Sequence, residues 1–155
     1  IGNMNPGSRY QSAFFNSTTE TILSDTPLGE YMDPLDTDNT DKVLQRLREV
    51  VPGGGANLEH AFQRINGLDL LPDNVILIVD GLPTESDSVP RGEIVDENAR
   101  INMFVAALRV KPPEVPFNVL LLPFEGDPTA AIFYWSLANY SKGALVTPSR
   151  TWPDI

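Results

Sequence analysis

The stretch Asn74-Val75-Ile76-Leu77-Ile78-Val79-Asp80-Gly81-Leu82-Pro83-Thr84 constrains this chain more than any other. Between Val75 and Val79 no polar residue interrupts the apolar run. Without alternation both faces are apolar, which predicts a parallel strand covered by helices above and below. The run stops at Asp80-Gly81, so the Asp80 carboxylate arrives at the carboxyl end of that strand, where open α/β sheets place their ligand sites. Just upstream, Pro52-Gly53-Gly54-Gly55-Ala56-Asn57-Leu58-Glu59 is a glycine-rich loop running into a helix. These two loops are the first candidates for a functional rim.

The flanking pattern places them. Residues 9–16 read as a strand and 20–23 as a short partner after the turn at Ser17-Thr18-Thr19. Residues 24–40, rich in Pro, Asp and Thr, read as an exposed loop. Asp36, Asp38 and Asp41 lack the glycine and terminal Glu of a calcium loop and read as solvated. Residues 41–51 carry Val43, Leu44, Leu47 and Val50 at helical spacing, with Asn39 or Thr40 as cap. Leu58, Ala61, Phe62 and Ile65 form the stripe of a helix over about 57–65, ended by Gly67. After a polar loop over 85–92 comes a long helix over about 94–110, with Ile101, Phe104, Val105 and Leu108 inward.

Beyond the stiff connector at 111–116, residues 117–122 are a second buried strand. Gly126-Asp127-Pro128 then starts a helix, with Asp127 placed to cap it. That helix runs to about Ser141, with Ala131, Tyr134, Trp135 and Ala138 inward, and Lys142-Gly143 closes it. Residues 144–147 are a third short parallel strand, and the tail with Trp152 is irregular. Strand and helix alternate through the second half, so the class is α/β, three-layered and Rossmann-like.

Composition narrows the functions. The chain has 155 residues, enough for one domain with a real core. Its net charge of −10 repels phosphate backbones and anionic lipid, so no nucleic-acid or membrane partner is expected. There are no cysteines, hence no disulfides and no thiolate metal sites. No apolar run reaches the length of a membrane span.

The strand ending in Asp80-Gly81, the upstream Gly54-Gly55-Ala56-Asn57-Leu58 and the early strand ending in Phe15-Asn16 together resemble a von Willebrand factor A domain. The resemblance runs from about Asn5 to Val146, and the closing pattern, from Leu121-Leu122-Pro123 through Pro148-Ser149-Arg150-Thr151-Trp152-Pro153, is similar to bacterial members. It implies a mostly parallel central sheet with one antiparallel edge strand and a metal-ion-dependent adhesion site at the carboxyl ends of the strands. Two departures stand out. The family's first strand, ending in Asp-x-Ser-x-Ser, is not present in this chain. Ala56 stands where the glycine-loop motif has Thr. Of the implied metal ligands only Asp80 remains, so any Mg²⁺ site would be degenerate, magnesium wanting near-octahedral oxygen coordination.

The absent strand would lie at the sheet centre, between residues 9–16 and 75–80. Its slot has three resolutions: an upstream segment fills it, making residues 1–155 one N-terminally incomplete domain; a partner donates a strand; or the flanking strands pair directly. The leading functional expectation is a protein-interaction module binding a protein partner at the carboxyl-edge loops, through Gly54, Gly55, Asn57, Asp80, Gly81, Thr84 and Glu85. The alternatives are a purely structural domain of a larger assembly and a phosphoryl-transfer enzyme using Asp80. Against the last, Leu82 sits where a doubly wound phosphatase needs its second acid. The glycine loop lacks the Gly-Lys-Ser/Thr of a phosphate loop. The lone histidine, His60, leaves no material for a triad, and no enzymatic role is expected.

Overall fold

The structure is a computed structural model that describes residues 4–148, apart from 6, 24, 52, 91, 93 and 123–126. Pro52, Pro123, Gly126 and the tail holding Trp152 therefore lie outside the described residues. In chain order the elements are β1 (Ala13–Phe15), β2 (Thr19–Thr21), α1 (Thr37–Glu49), α2 (Leu58–Asn66), β3 (Val75–Val79), α3 (Glu97–Val110), β4 (Phe117–Leu121), α4 (Ala130–Tyr140) and β5 (Leu145–Val146). The architecture is α/β, as the alternation predicts.

Strands β3, β4 and β5 form a parallel sheet in that order, with Leu77 opposite Val119 and Val79 opposite Leu121. The crossovers β3–α3–β4 and β4–α4–β5 step the same way across it. Right-handed connections then put both helices on one face. The packing agrees. Leu77, Val79, Phe117, Val119 and Leu121 share one core with Leu58 and Phe62 of α2, Phe104 and Ala107 of α3, and Tyr134, Leu137 and Ala138 of α4. Phe62 stacks obliquely on Phe117 with ring centroids 4.8 Å apart, and Phe104 meets Tyr134 edge-on at 5.1 Å. Each fully buried aromatic contributes up to about 3 kcal/mol by removal from water.

The opposite face corrects the expectation of double burial. Ile76 and Ile78 are 69% and 57% exposed, and Val146 is exposed beside a half-buried Leu120. Both described crossovers lie on the other side, and among the described residues nothing roofs this face. The apolar run is real, but only its odd-numbered residues are inside.

The early strand is shorter than predicted. Ala13–Phe15 pairs antiparallel with Thr19–Thr21, and Tyr10 joins Met32 in an isolated bridge. This hairpin is a separate sheet and does not pair with β3, so direct pairing across the slot does not occur. Side-chain alternation along β1 sends Phe15 to the main core and Phe14 to a second, smaller one. That second core holds Tyr10, Ile22 and Val43, with Met32 and Val50 against it. Helix α1 sits over it, starting at Thr37 rather than Asp41, with Asp36 as the cap that accepts from Asn39 N–H. The 41–51 stripe is only partly used: Val43 is buried, whereas Leu44 and Leu47 are 44% and 46% exposed.

Helix α3 begins three residues later than read, capped by Asp96. Helix α4 differs in its facing. Ala130, Tyr134, Leu137 and Ala138 point inward, while Ala131 is exposed and Trp135 is 57% exposed. Asp127 does not cap it with its side chain; Thr129 holds the cap position without a capping hydrogen bond, its hydroxyl donating to Glu97 instead.

Candidate functional site

The glycine loop and the loop after β3 are knitted together. Ala56 is the centre of the joint: its N–H donates to Thr84 Oγ1 (2.9 Å), and its carbonyl accepts from the N–H groups of Thr84 (3.0 Å) and Glu85 (3.1 Å). Asn57 and Glu85 continue this as a parallel bridge. Gly54 takes a left-handed conformation, φ +79°, open to few other residues, and packs beside Ser17 and Asn16. Gly55 lies flat against the side chain of Glu85.

Asn57, 4% exposed, serves three partners. Its side-chain oxygen caps α2 by accepting from His60 N–H (2.9 Å), and its amide donates to Asp87 (2.7 Å). Its backbone N–H donates to Asn16 C=O (2.8 Å), bringing the end of β1 to the same rim. His60 Nδ1 lies 3.1 Å from Asp87.

In the first turn of α2, Glu59 is 3% exposed although charged. It accepts from the Ser86 hydroxyl and from Ser88 N–H (3.0 Å), so the loop closes over it. Burial by itself raises the pKa of this carboxyl. The hydrogen bonds from Ser86, Ser88 and the Asp87 backbone more than offset that, and the net value lies below the ordinary one.

Asp80 and Gly81 belong to a different set of contacts. Immediately past Asp80, the Gly81 carbonyl accepts from the Tyr134 hydroxyl (3.0 Å). Leu82 N–H donates to Asp127 (2.6 Å), and Leu82 C=O accepts from Arg100 (2.6 Å). Arg100 and Asp127 are themselves paired at 2.7 Å. A Cβ on Gly81 would stand 2.9 Å from both of them, so the clamp requires glycine there. Burial raises the Tyr134 phenol pKa strongly, with the Asp127 charge adding to it, Arg100 opposing, and Asp80 adding further. Asp80 itself is exposed, and among the described residues no hydrogen bond or ion pair engages its carboxylate.

The predicted residues therefore fall into two groups. Gly54, Gly55, Asn57, Thr84 and Glu85 are joined, while Asp80 and Gly81 are fixed by α3 and α4. Sequence reading missed Glu59, Ser86, Asp87, Arg100 and Tyr134. Only the cap geometry of Asn57 and His60, three residues apart at a helix start, offered a local signal.

A magnesium ion fits these donors poorly. Thr84 Oγ1 already accepts from Ala56, Asp127 is neutralised by Arg100, and Asp80 stands alone. Among the described residues no group of three potential metal-ligating side chains converges.

No family model matches the sequence, and no curated protein does. Among solved structures, a von Willebrand factor type A protein from Catenulispora acidiphila superposes with TM-score 0.61 at 10% identity, over 94% of this chain and 31% of that one. The fold is von Willebrand factor A-like. At that identity the likeness concerns the fold, and the chain spans less than a third of that protein's length. The glycine loop and the loop after Asp80 meet at the carboxyl end of β3. Among the described residues no helix is long and apolar enough to cross a membrane.

Proposed function

We propose that this chain is a protein-interaction module that holds a partner at the rim formed by residues 53–57, 80–88 and Asp127. One observation carries the reading. An exposed, unpaired carboxylate at Asp80 stands on a turn held from three sides by Tyr134, Arg100 and Asp127. A side chain used only to start a turn needs no such bracing, whereas one offered to a partner gains from being held in place, because less freedom is lost on binding. The A-type fold, commonly an interaction fold, supports the same reading.

On this reading binding is direct, without a bridging cation, because among the described residues the donors around Asp80 do not make up a magnesium shell. The reading is also non-catalytic: the second acid of a phosphoryl-transfer site is absent at Leu82, and His60 is taken up by Asp87.

Asp80→Ala tests it. The variant is expected to release a protein partner that the native chain captures, at unchanged melting temperature. Retained capture would reject the rim reading and favour a purely structural domain.

A further inference from the structure

Asp80 and Gly81 carry a covalent chemistry that partner binding does not use. The side chain of an Asp or Asn is open to attack by the main-chain nitrogen of the following residue when that residue is small enough to allow close approach. The chain has four such pairs, in which Gly or Ser follows: Asn16-Ser17, Asn66-Gly67, Asp80-Gly81 and Asp87-Ser88.

The fold treats them differently. Gly67 N–H donates to Gln63 C=O (3.0 Å), which holds that nitrogen in the last turn of α2. Ser88 N–H donates to Glu59 (3.0 Å), and both carboxylate oxygens of Asp87 are taken, one by Asn57 (2.7 Å) and the other by His60 (3.1 Å). Asn16 Oδ1 accepts from Thr18 N–H (2.9 Å) and from the Thr18 hydroxyl (3.3 Å), which turns the side chain past Ser17. A misplacement of about 1 Å between reacting atoms costs about a hundredfold in rate, so each of these bonds holds its pair back.

At Asp80-Gly81 neither group is engaged. Asp80 is exposed with its carboxylate unbonded, and among the described residues no acceptor takes the Gly81 N–H. The bonds from Tyr134, Arg100 and Asp127 fall on the Gly81 carbonyl and on Leu82. They steady the chain beyond the reacting pair and leave the pair itself free.

We infer that Asp80-Gly81 is a site of spontaneous isomerisation to isoaspartate. The Gly81 nitrogen attacks Cγ of the protonated Asp80 carboxyl. The N–Cγ bond forms, the Cγ–OH bond breaks, and the amide proton leaves with the hydroxyl as water, giving a cyclic succinimide. Water then adds back. Opening at Cγ restores Asp80, whereas opening at the main-chain carbonyl routes the chain through the side-chain methylene. The product carries its carboxylate directly on the Asp80 Cα, with an extra carbon in the backbone ahead of Gly81. No oxidant or cofactor is consumed. Isomerisation proceeds whether or not a partner is held at the rim; loss of a partner by the aged chain rests in addition on the rim reading.

The test ages the 155-residue chain in neutral buffer, folded and, in parallel, unfolded in guanidinium chloride. Both samples are digested and mapped, isoaspartate being read by methyl labelling with an isoaspartyl methyltransferase. Folding is expected to slow conversion at Asn66-Gly67 and Asp87-Ser88 by about a hundredfold or more, and at Asp80-Gly81 by less than about tenfold. Asp80→Glu, which needs a larger ring, is expected to abolish the signal there. Asp80→Asn, with a better leaving group in the same geometry, is expected to raise it by about tenfold or more in the folded chain. Three outcomes would overturn the inference: folding slows Asp80-Gly81 as much as its rivals; folded Asp80→Asn keeps its amide; or the signal persists in the same peptide of Asp80→Glu. Partner capture is scored separately, so an isomerised chain that still captures its partner counts against the rim reading alone.

Discussion

On one face of the parallel sheet, Leu77, Val79, Phe117 and Val119 lie under three helices, none more than 9% exposed. On the other face, Ile76 and Ile78 of the same strand stand 69% and 57% exposed. Their chemistry is alike, and only the direction in which the chain crosses the sheet separates them. Right-handed crossovers advancing from β3 to β5 bury one side and leave the other to elements that advance the opposite way. The lesson is that an apolar strand reports how much burial it needs, while topology decides where the cover comes from.

The sharpest way to break that comparison is to truncate one residue on each face. Phe117→Ala is expected to cost about 3–5 kcal/mol in urea unfolding, since it opens a cavity at the centre of the helix-covered core. Ile78→Ala is expected to cost less than about 0.5 kcal/mol, since an exposed side chain loses little contact. Equal losses would mean that the outer face is covered in solution.

A smaller effect is expected at the buried polar joint. Glu59→Ala leaves the Ser86 hydroxyl and Ser88 N–H without their acceptor and is expected to cost about 1–3 kcal/mol, against no measurable change for Asp80→Ala. The pH dependence has a definite sign. Because the folded pKa of Glu59 lies below its unfolded value, its contribution is fully present above the ordinary carboxyl range, near about pH 4.3, and is lost as pH falls through the folded value. Glu59→Gln is expected to flatten the acid limb of a stability profile without altering stability's pH dependence above neutrality.

Tyr134→Phe removes one hydrogen bond to Gly81 C=O and is expected to cost about 1 kcal/mol in the same urea experiment. The smallest change concerns the cation: adding millimolar magnesium is expected to leave the melting temperature of the native chain unchanged. A rise that disappears in Asp80→Ala would restore a metal-bridged mode.

The sequence carried the periodic parts of the fold. The β3 and β4 strands, the α2 stripe and the arrival of Asp80 at a strand's carboxyl end all follow from spacing. Facing was harder where the spacing is uninformative. Helix α4 is apolar around most of its circumference, so no period distinguishes Tyr134, inward, from Trp135, outward. Asp127 followed by Pro128 has the local signature of a cap, but Leu82 N–H and Arg100, distant in sequence, take the carboxylate instead. Glu59 sits where a charged residue normally faces water; it is buried because a later loop folds over it, which no local pattern encodes. The Leu44 and Leu47 stripe of α1 was legible as a stripe, yet among the described residues it finds no partner.

The contacts on Gly81 and Leu82 have a mechanical side. Tyr134 grips the first from α4, and Arg100 grips the second from α3, both on main-chain oxygens directly after Asp80. The turn that carries Asp80 is thereby tied to two helices at once, so its position is set by how α3 and α4 pack.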